Sequence, residues 1–191
     1  NGLSKIHKIN KKYNEKYSFY FLALLQGELD FNYPLEDFKG IIAEIIDNGG
    51  EVGLHGGFNA YDDFEKLKQE KNLLESSIGN QVLGYRGHYL KFKEPETWHL
   101  LEKLNFLYDT SCGYPDQIGF KNGMCHPFRP FSKSENRYLD IFELPLAIMD
   151  TTLTKYMGLS PEDQLINCKQ LIDVVERNNG VLSLLWHNDN M

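Results

Sequence analysis

Short apolar runs alternate with helix-forming stretches along most of this chain, and this alternation limits its possible folds more than any other feature. The predicted strands are 17–25, 51–55, 81–85, 106–108, 139–149 and 181–186, and the predicted helices are 34–48, 61–77, 95–105 and 161–177. Ser160 suits the N-cap of the last helix, and Pro161 suits its first position. Strands that alternate with helices indicate parallel βαβ units.

Two α/β architectures fit this order, an open doubly wound sheet and a barrel. No Gly-rich phosphate loop follows the first strand, which counts against a nucleotide-binding doubly wound fold. His55, His88 and His187 each follow an apolar run. Because the carboxyl ends of parallel strands meet at one rim in a barrel, this placement favours a (β/α) barrel with its chemistry at that rim.

Composition restricts the classes of function. The formal net charge is −7, so the chain lacks the basic character of a general nucleic-acid binder. The longest apolar stretch, 19–25, is far too short to span a membrane, and the basic stretch 5–16 is typical of a solvated helix. Three widely spaced cysteines and the lack of a visible signal peptide favour a reducing, cytoplasmic location. We expect one domain over residues 1–191, without its natural N-terminal segment.

The strand-end side chains suggest specific roles, each with a structural alternative. His55 is a candidate metal ligand or a buried histidine bonded to backbone. Arg86 and His88 are two residues apart, so an extended strand would point both side chains to one face. Arg86 could bind an anion or form a structural ion pair. His88 could be a metal ligand or a polar loop histidine. His187 suits proton donation or a capped strand end. Asp109 and Asp150 follow strands, and either could orient a histidine or interact with Arg86. Asp150, next to Thr151 and Thr152, is also typical of an N-cap or turn.

The sequence resembles the polysaccharide deacetylase superfamily, the NodB-like proteins of carbohydrate esterase family 4. The motifs that carry this resemblance are, in chain order, Gly53-Leu54-His55, Arg86-Gly87-His88-Tyr89, Tyr108-Asp109-Thr110-Ser111 and Leu185-Trp186-His187. The segments 119–125 and 143–150 are similar to a bacterial branch of the superfamily. The resemblance extends from about residue 19 to residue 187 and implies a distorted (β/α) barrel.

The resemblance also implies a metal-dependent site. It assigns His55 as a metal ligand, Arg86 as the residue that orients the catalytic base, and His187 as the general acid. It assigns the backbone N–H of Tyr89 to the oxyanion. Asp109 is counted among the catalytic residues of this site.

The chain departs from the family pattern at three points. The first motif, a strand that ends in paired Asp residues, is absent, and we expect it to precede Tyr17 in the full protein. Asn59 stands where the second metal histidine is expected, and His88 stands where the family has proline. We therefore expect His88 to replace the missing histidine as a ligand, and the barrel to lack its first strand.

These observations predict a hydrolase that uses a divalent metal to remove N-acetyl groups from an amino sugar or polysaccharide. Zinc suits imidazole and carboxylate ligands, with cobalt or nickel as alternatives. Two other functions fit the same residues. One is an allantoinase-like hydrolase of non-peptide C–N bonds, and the other is a non-catalytic glycan-binding domain that uses loop aromatics such as Tyr114, Phe120, Phe128 and Phe131.

Overall fold

The computed structural model describes residues 2–13 and 16–187. Its helices are α1 (Gly2–Tyr13), α2 (Lys39–Asp47), α3 (Phe64–Ile78), α4 (Glu96–Lys103) and α5 (Pro161–Arg177). Its strands are β1 (Ser18–Leu22), β2 (Glu51–Gly56), β3 (Gly84–Gly87), β4 (Tyr108–Asp109), β5 (Phe131–Ser132), β6 (Arg137–Tyr138), β7 (Phe142–Glu143), β8 (Leu146–Met149) and β9 (Ser183–Leu185). None of the described helices is both long and apolar enough to cross a membrane.

The main sheet has five strands in the order β1-β2-β3-β4-β7, and all of its pairs are parallel. Strands β8 and β9 form a separate parallel pair, and β5 and β6 form a small antiparallel hairpin. The strand and helix alternation therefore produces the expected α/β fold with parallel strands. Among the described residues the strands do not close into a complete ring, so the barrel is distorted and open.

The register of the sheet sorts its side chains into two sets. Leu22 pairs with His55, which pairs with Arg86, so these three residues share one face. Leu54 pairs with Tyr85 on the opposite face, where both are fully buried in the main hydrophobic core. The rim chemistry and the core packing therefore use alternate residues of the same strands.

Helices α2, α3 and α4 cover the core face of the sheet. The fully buried residues that they contribute include Ile45, Leu67, Leu74 and Leu101. Local signals fix the ends of α3, since the Asp63 side chain accepts a hydrogen bond from the Lys66 N–H (3.1 Å) and Gly79 closes the helix at φ 70°. The predicted N-cap of α5 is confirmed, because the Ser160 hydroxyl accepts from the Asp163 N–H.

Two predicted strands differ from the structure. The run 139–149 is not one strand but two, β7 and β8, which belong to different sheets. Pro145 lies between them and has no N–H for a ladder, which explains the break. An apolar run such as 181–186 favours a buried strand, yet Val181, Leu184 and Trp186 are exposed and only Leu185 is buried. That expectation was wrong, because apolarity alone does not tell whether another element covers a strand.

Candidate active site

His55 and His88 form the centre of the candidate site. His55 is the second-to-last residue of β2, and its Nδ1 lies 2.9 Å from the Arg86 carbonyl oxygen. Its Nε2 lies 2.9 Å from Nδ1 of His88. The expectation that His88 continues the strand of Arg86 was wrong, because β3 ends at Gly87 and His88 begins a short 3-10 turn, His88–Leu90. That turn nevertheless brings the two imidazoles together at 89° to each other.

The environment of the pair keeps His55 neutral. Burial first, and the neighbouring His88 second, lower the pKa of His55 to about 3. Neutral His55 can therefore donate its Nδ1 hydrogen to the Arg86 carbonyl and present the lone pair of Nε2 to His88. Burial also lowers the pKa of His88, while Asp30 acts in the opposite direction.

The facing nitrogens suit two positions of a metal site. Zinc–imidazole bonds of about 2.0–2.1 Å place two tetrahedral nitrogen ligands roughly 3.3 Å apart, close to the 2.9 Å observed here. The outer nitrogen of His55 meets a backbone carbonyl, as the second nitrogen of a ligating histidine usually does. Within residues 2–13 and 16–187, no third histidine, cysteine or carboxylate joins this pair in one compact ligand group.

A different group of potential ligands consists of His99, Glu102 and Glu135. Arg137 already neutralises this group, since its guanidinium donates to both Glu102 carboxylate oxygens at 2.7 Å and also pairs with Glu135. Nε2 of His99 lies 3.1 Å from the Ser132 hydroxyl. A cation there would have to displace Arg137, so these residues are better explained as a surface ion-pair network.

Arg86 carries a positive charge into the same face of the sheet. Its guanidinium donates to the Thr110 carbonyl (3.4 Å) and hydroxyl (3.2 Å) and lies 4.5 Å from the centre of the Tyr20 ring. No carboxylate forms an ion pair with it in the described part of the chain. Burial lowers the pKa of Arg86, although the group remains charged. Its charge is therefore balanced by no direct carboxylate contact among the described residues.

The structure separates Asp109 from the histidines. Asp109 is fully buried on the core face, where it pairs in register with Glu143. Its carboxylate accepts a hydrogen bond from the Ser111 hydroxyl (2.6 Å), and that hydroxyl in turn accepts from the Gly87 N–H (2.8 Å). Asp109 thus supports the backbone between Arg86 and His88, and it contacts neither side chain directly.

His187 and Asp150 form the second polar pair of the site. Nδ1 of His187 lies 2.6 Å from one carboxylate oxygen of Asp150, and the His187 N–H donates to the other oxygen (2.9 Å). Asp150 is buried, whereas the imidazole is 45% exposed. This contact fixes the tautomer with hydrogen on Nδ1 and leaves Nε2 as the nitrogen that is available for chemistry. Asp150 therefore has the geometry of the orienting acid that the sequence suggested as one alternative.

Aromatic side chains border the histidine pair. The Tyr89 ring is 66% exposed, contacts the His88 ring at 4.1 Å between centroids, and meets Phe58 edge to face. The ammonium of Lys91 lies over the Phe58 ring at 3.5 Å and close to Tyr61. The left-handed backbone of Tyr89 (φ 56°) turns the chain at the rim. These residues form a half-open aromatic border beside the imidazoles.

Sequence reasoning missed Asp30, an acidic residue of the site. Its carboxylate lies 3.7 Å from Nε2 of His88, although it follows β1 by eight residues. The segment 26–30 has no motif that marks it, and only the rule that loops after parallel strands line the rim could have indicated it.

Comparisons with known proteins agree with this architecture. No protein-family model and no curated protein sequence matches the chain. Three solved structures, each 18% identical, match nearly all of it. A Mycobacterium smegmatis protein described as a polysaccharide deacetylase has a TM-score of 0.71, with 98% of this chain and 63% of that one covered.

Each of the other two structures matches 97% of this chain, and the match covers 58% of the other protein's chain. They are PuuE allantoinase, with a TM-score of 0.65, and a protein from Pseudomonas aeruginosa PAO1 described as a polysaccharide deacetylase, with a TM-score of 0.59. The chain thus spans about three fifths of the length of the structures that it resembles. It has the fold of the NodB-like polysaccharide deacetylase superfamily.

Proposed function

We propose that this chain belongs to a metal-dependent hydrolase that removes N-acetyl groups from an amino sugar or polysaccharide. The observation that carries the proposal is the pair of facing nitrogens, Nε2 of His55 and Nδ1 of His88, 2.9 Å apart at the strand ends. Two neutral imidazoles oriented in this way offer two lone pairs to one cation. A cation in this position would polarise the amide carbonyl and lower the pKa of a water molecule.

The other residues of the rim supply the remaining functions. His187, held by Asp150 through Nδ1, can accept a proton at Nε2 and then give that proton to the leaving amine. The Arg86 guanidinium can hold the anionic group that removes a proton from water, and the backbone N–H of Tyr89 can stabilise the oxyanion. The exposed Tyr89 ring offers a flat apolar face on which a sugar ring can stack.

An allantoinase-like hydrolase is the alternative with direct support, because PuuE allantoinase matches 97% of this chain. Its substrate would also contain a C–N bond attacked by water, so the same His55, His88 and His187 would serve. A non-catalytic glycan-binding domain has less support, because Phe120 and Phe128 pack against the two hydrophobic cores.

The first test measures zinc binding by competition with a chromophoric chelator. We expect His55→Ala and His88→Ala each to weaken binding more than about 100-fold, since the loss of a ligand exceeds the 10- to 100-fold effect typical of outer-shell changes. His126→Ala is the matched control, because His126 is an exposed loop histidine. Unchanged affinity in both His55 and His88 variants would refute the proposal.

The second part of the test separates the substrates. The zinc-loaded protein is offered N-acetylglucosamine oligomers and allantoin, and acetate release and ring opening are followed. Acetate release that stops on chelation and in His187→Ala supports the deacetylase. Ring opening alone supports the allantoinase-like alternative, and glycan binding without either product supports the binding domain.

A further inference from the structure

The loop after β1 turns back over the rim of the sheet. Leu25 N–H donates to the Glu28 carboxylate (2.6 Å), and Phe31 N–H donates to the Glu28 carbonyl (3.2 Å). Gly27 and Asp30 both have positive φ, 94° and 66°. The left-handed conformation is uncommon for a residue with a side chain, although Asp tolerates it better than most. The loop therefore has a defined shape that delivers the Asp30 carboxylate to the histidine pair.

The Asp30 carboxylate has an unsatisfied oxygen. Its Oδ2 is buried and has no hydrogen-bond partner among the described residues. The same oxygen lies 3.7 Å from Nε2 of His88, and both side chains are mostly buried, at 24% and 19% exposure. A buried carboxylate oxygen without a partner costs free energy. A shift of less than about 1 Å would turn this contact into a hydrogen bond.

We propose that Asp30 is the positioning residue that orients His88 for metal binding. This inference rests on the proposed function. When Nδ1 of His88 and Nε2 of His55 hold a cation, the remaining hydrogen of neutral His88 is on Nε2, which faces Asp30. The hydrogen bond fixes the ring orientation and makes Nδ1 a better donor of electrons, as carboxylates behind ligating histidines do.

The two imidazoles then have matched outer partners. His55 has the Arg86 carbonyl, and His88 has the Asp30 carboxylate. Asp30 lies on the Nε2 side of His88, whereas the cation position lies on the Nδ1 side, so its contact is with the ring and not with the cation. Its negative charge also offsets part of the charge of a divalent ion held by two neutral ligands.

The test compares zinc affinity in Asp30→Gly and Asp30→Asn. Glycine removes the carboxylate and suits the positive φ, so the backbone is not strained. We expect Asp30→Gly to bind zinc about 10- to 100-fold more weakly, and Asp30→Asn, which keeps an acceptor oxygen, to recover part of the loss. The visible spectrum of the cobalt-loaded protein should change in the same order. Asp37→Ala, which removes an exposed carboxylate nearby, is the control.

The outcomes distinguish this inference from the proposed function. If the unsubstituted protein binds no zinc, or if His55→Ala and His88→Ala bind like it, the site itself is refuted. If those variants lose zinc but Asp30→Gly behaves like Asp37→Ala, only the role of Asp30 is refuted. Equal losses in Asp30→Gly and Asp30→Asn, together with a lower unfolding midpoint of both metal-free variants, would also overturn it, because that result indicates a structural role.

Discussion

At the scale of single residues, the histidines of the site are oriented by the group that contacts one nitrogen of each ring. The Nδ1 atoms of His55 and His187 meet a backbone carbonyl and the Asp150 carboxylate, respectively. An imidazole with one nitrogen occupied in this way has its other nitrogen in a defined direction and protonation state. The difference between the partners is chemically useful, because a carbonyl suits a neutral ligand, whereas a carboxylate also stabilises a cationic ring.

We expect Asp150→Asn to reduce kcat by about 10²- to 10⁴-fold, because an amide can donate to Nδ1 of His187 and favour the wrong tautomer. Zinc affinity should stay unchanged, since Asp150 contacts neither His55 nor His88. Steady-state kinetics with acetate detection and the chelator competition assay measure both quantities. Thr151→Val, which removes the weaker hydroxyl contacts to His187 (3.3 Å) and Asp150 (3.5 Å), should lower kcat less than about 5-fold. If Asp150→Asn also lowered kcat by less than about 5-fold, the assignment of Asp150 as the orienting acid would be contradicted.

At the scale of the strands, glycines make room for tyrosines on the rim face of the sheet. Gly53 is paired with Tyr20 across β1 and β2, and Gly84 is paired with Tyr108 across β3 and β4. A Cβ at Gly53 would lie 2.6 Å from the Tyr20 ring. The two tyrosine hydroxyls then meet at 3.1 Å beneath Arg86. The floor of the site is therefore fixed by side chains that cross neighbouring strands.

We expect Gly84→Ala to lower the free energy of unfolding by about 1–3 kcal/mol, because a methyl group there overlaps the Tyr108 ring and hydroxyl. In a Tyr108→Ala background the same substitution should cost little, since the overlap is gone. Chemical denaturation of the double-mutant cycle gives the coupling energy. The matched control is Gly40→Ala in α2, which meets nothing within 4 Å and should be neutral or stabilising. A coupling energy near zero would contradict this explanation.

The elements were largely predictable because their signals are local. The N-cap Ser160 and the stop at Gly79 act within one helical turn, and the alternation of strands and helices follows from periodicity. The break within 139–149 has a local signal in Pro145, but the division of its two halves between two sheets does not, because it depends on which strands lie beside β7 and β8. Asp30 was missed for the same reason, since its distance from His88 is set by the path of a loop with no sequence signature.

At the scale of the whole molecule, acidic side chains are buried in the core beneath the site. Glu70 of α3 accepts a hydrogen bond from the Gly57 N–H (2.9 Å), and burial raises its pKa to about 7. Glu143 accepts from the Trp98 indole (2.9 Å) and the Cys112 N–H (3.1 Å). Burial and the neighbouring Asp109 raise the pKa of Glu143 well above its usual value. Stability therefore depends on pH through these groups.

We expect the protein to lose stability as the pH rises from about 4.5 to 7, because folded Glu70 keeps a proton that the unfolded chain has released. The raised pKa of Glu70 corresponds to a loss of roughly 3 kcal/mol of folding stability at most. Glu70→Gln should remove this contribution and stabilise the protein by about 1–3 kcal/mol at pH 8, with little effect at pH 4.5. Urea denaturation at both pH values measures it. Glu65→Gln, an exposed position in the same helix, should change stability by less than about 0.5 kcal/mol at either pH. A Glu70→Gln effect that is the same at pH 4.5 and pH 8 would contradict the argument.

The two-sided register of the sheet has a consequence for how such a site can change over evolution. Along β2 and β3, each residue that faces the rim has neighbours in the chain that face the core, as Leu54 and Tyr85 do beside His55 and Arg86. Substitutions at the strand-end positions of His55 and Arg86 can therefore alter the reaction without disturbing the core packing. The insertion of a single residue within either strand would exchange the two sets and lose both at once. Such a strand tolerates new chemistry far better than a change of length.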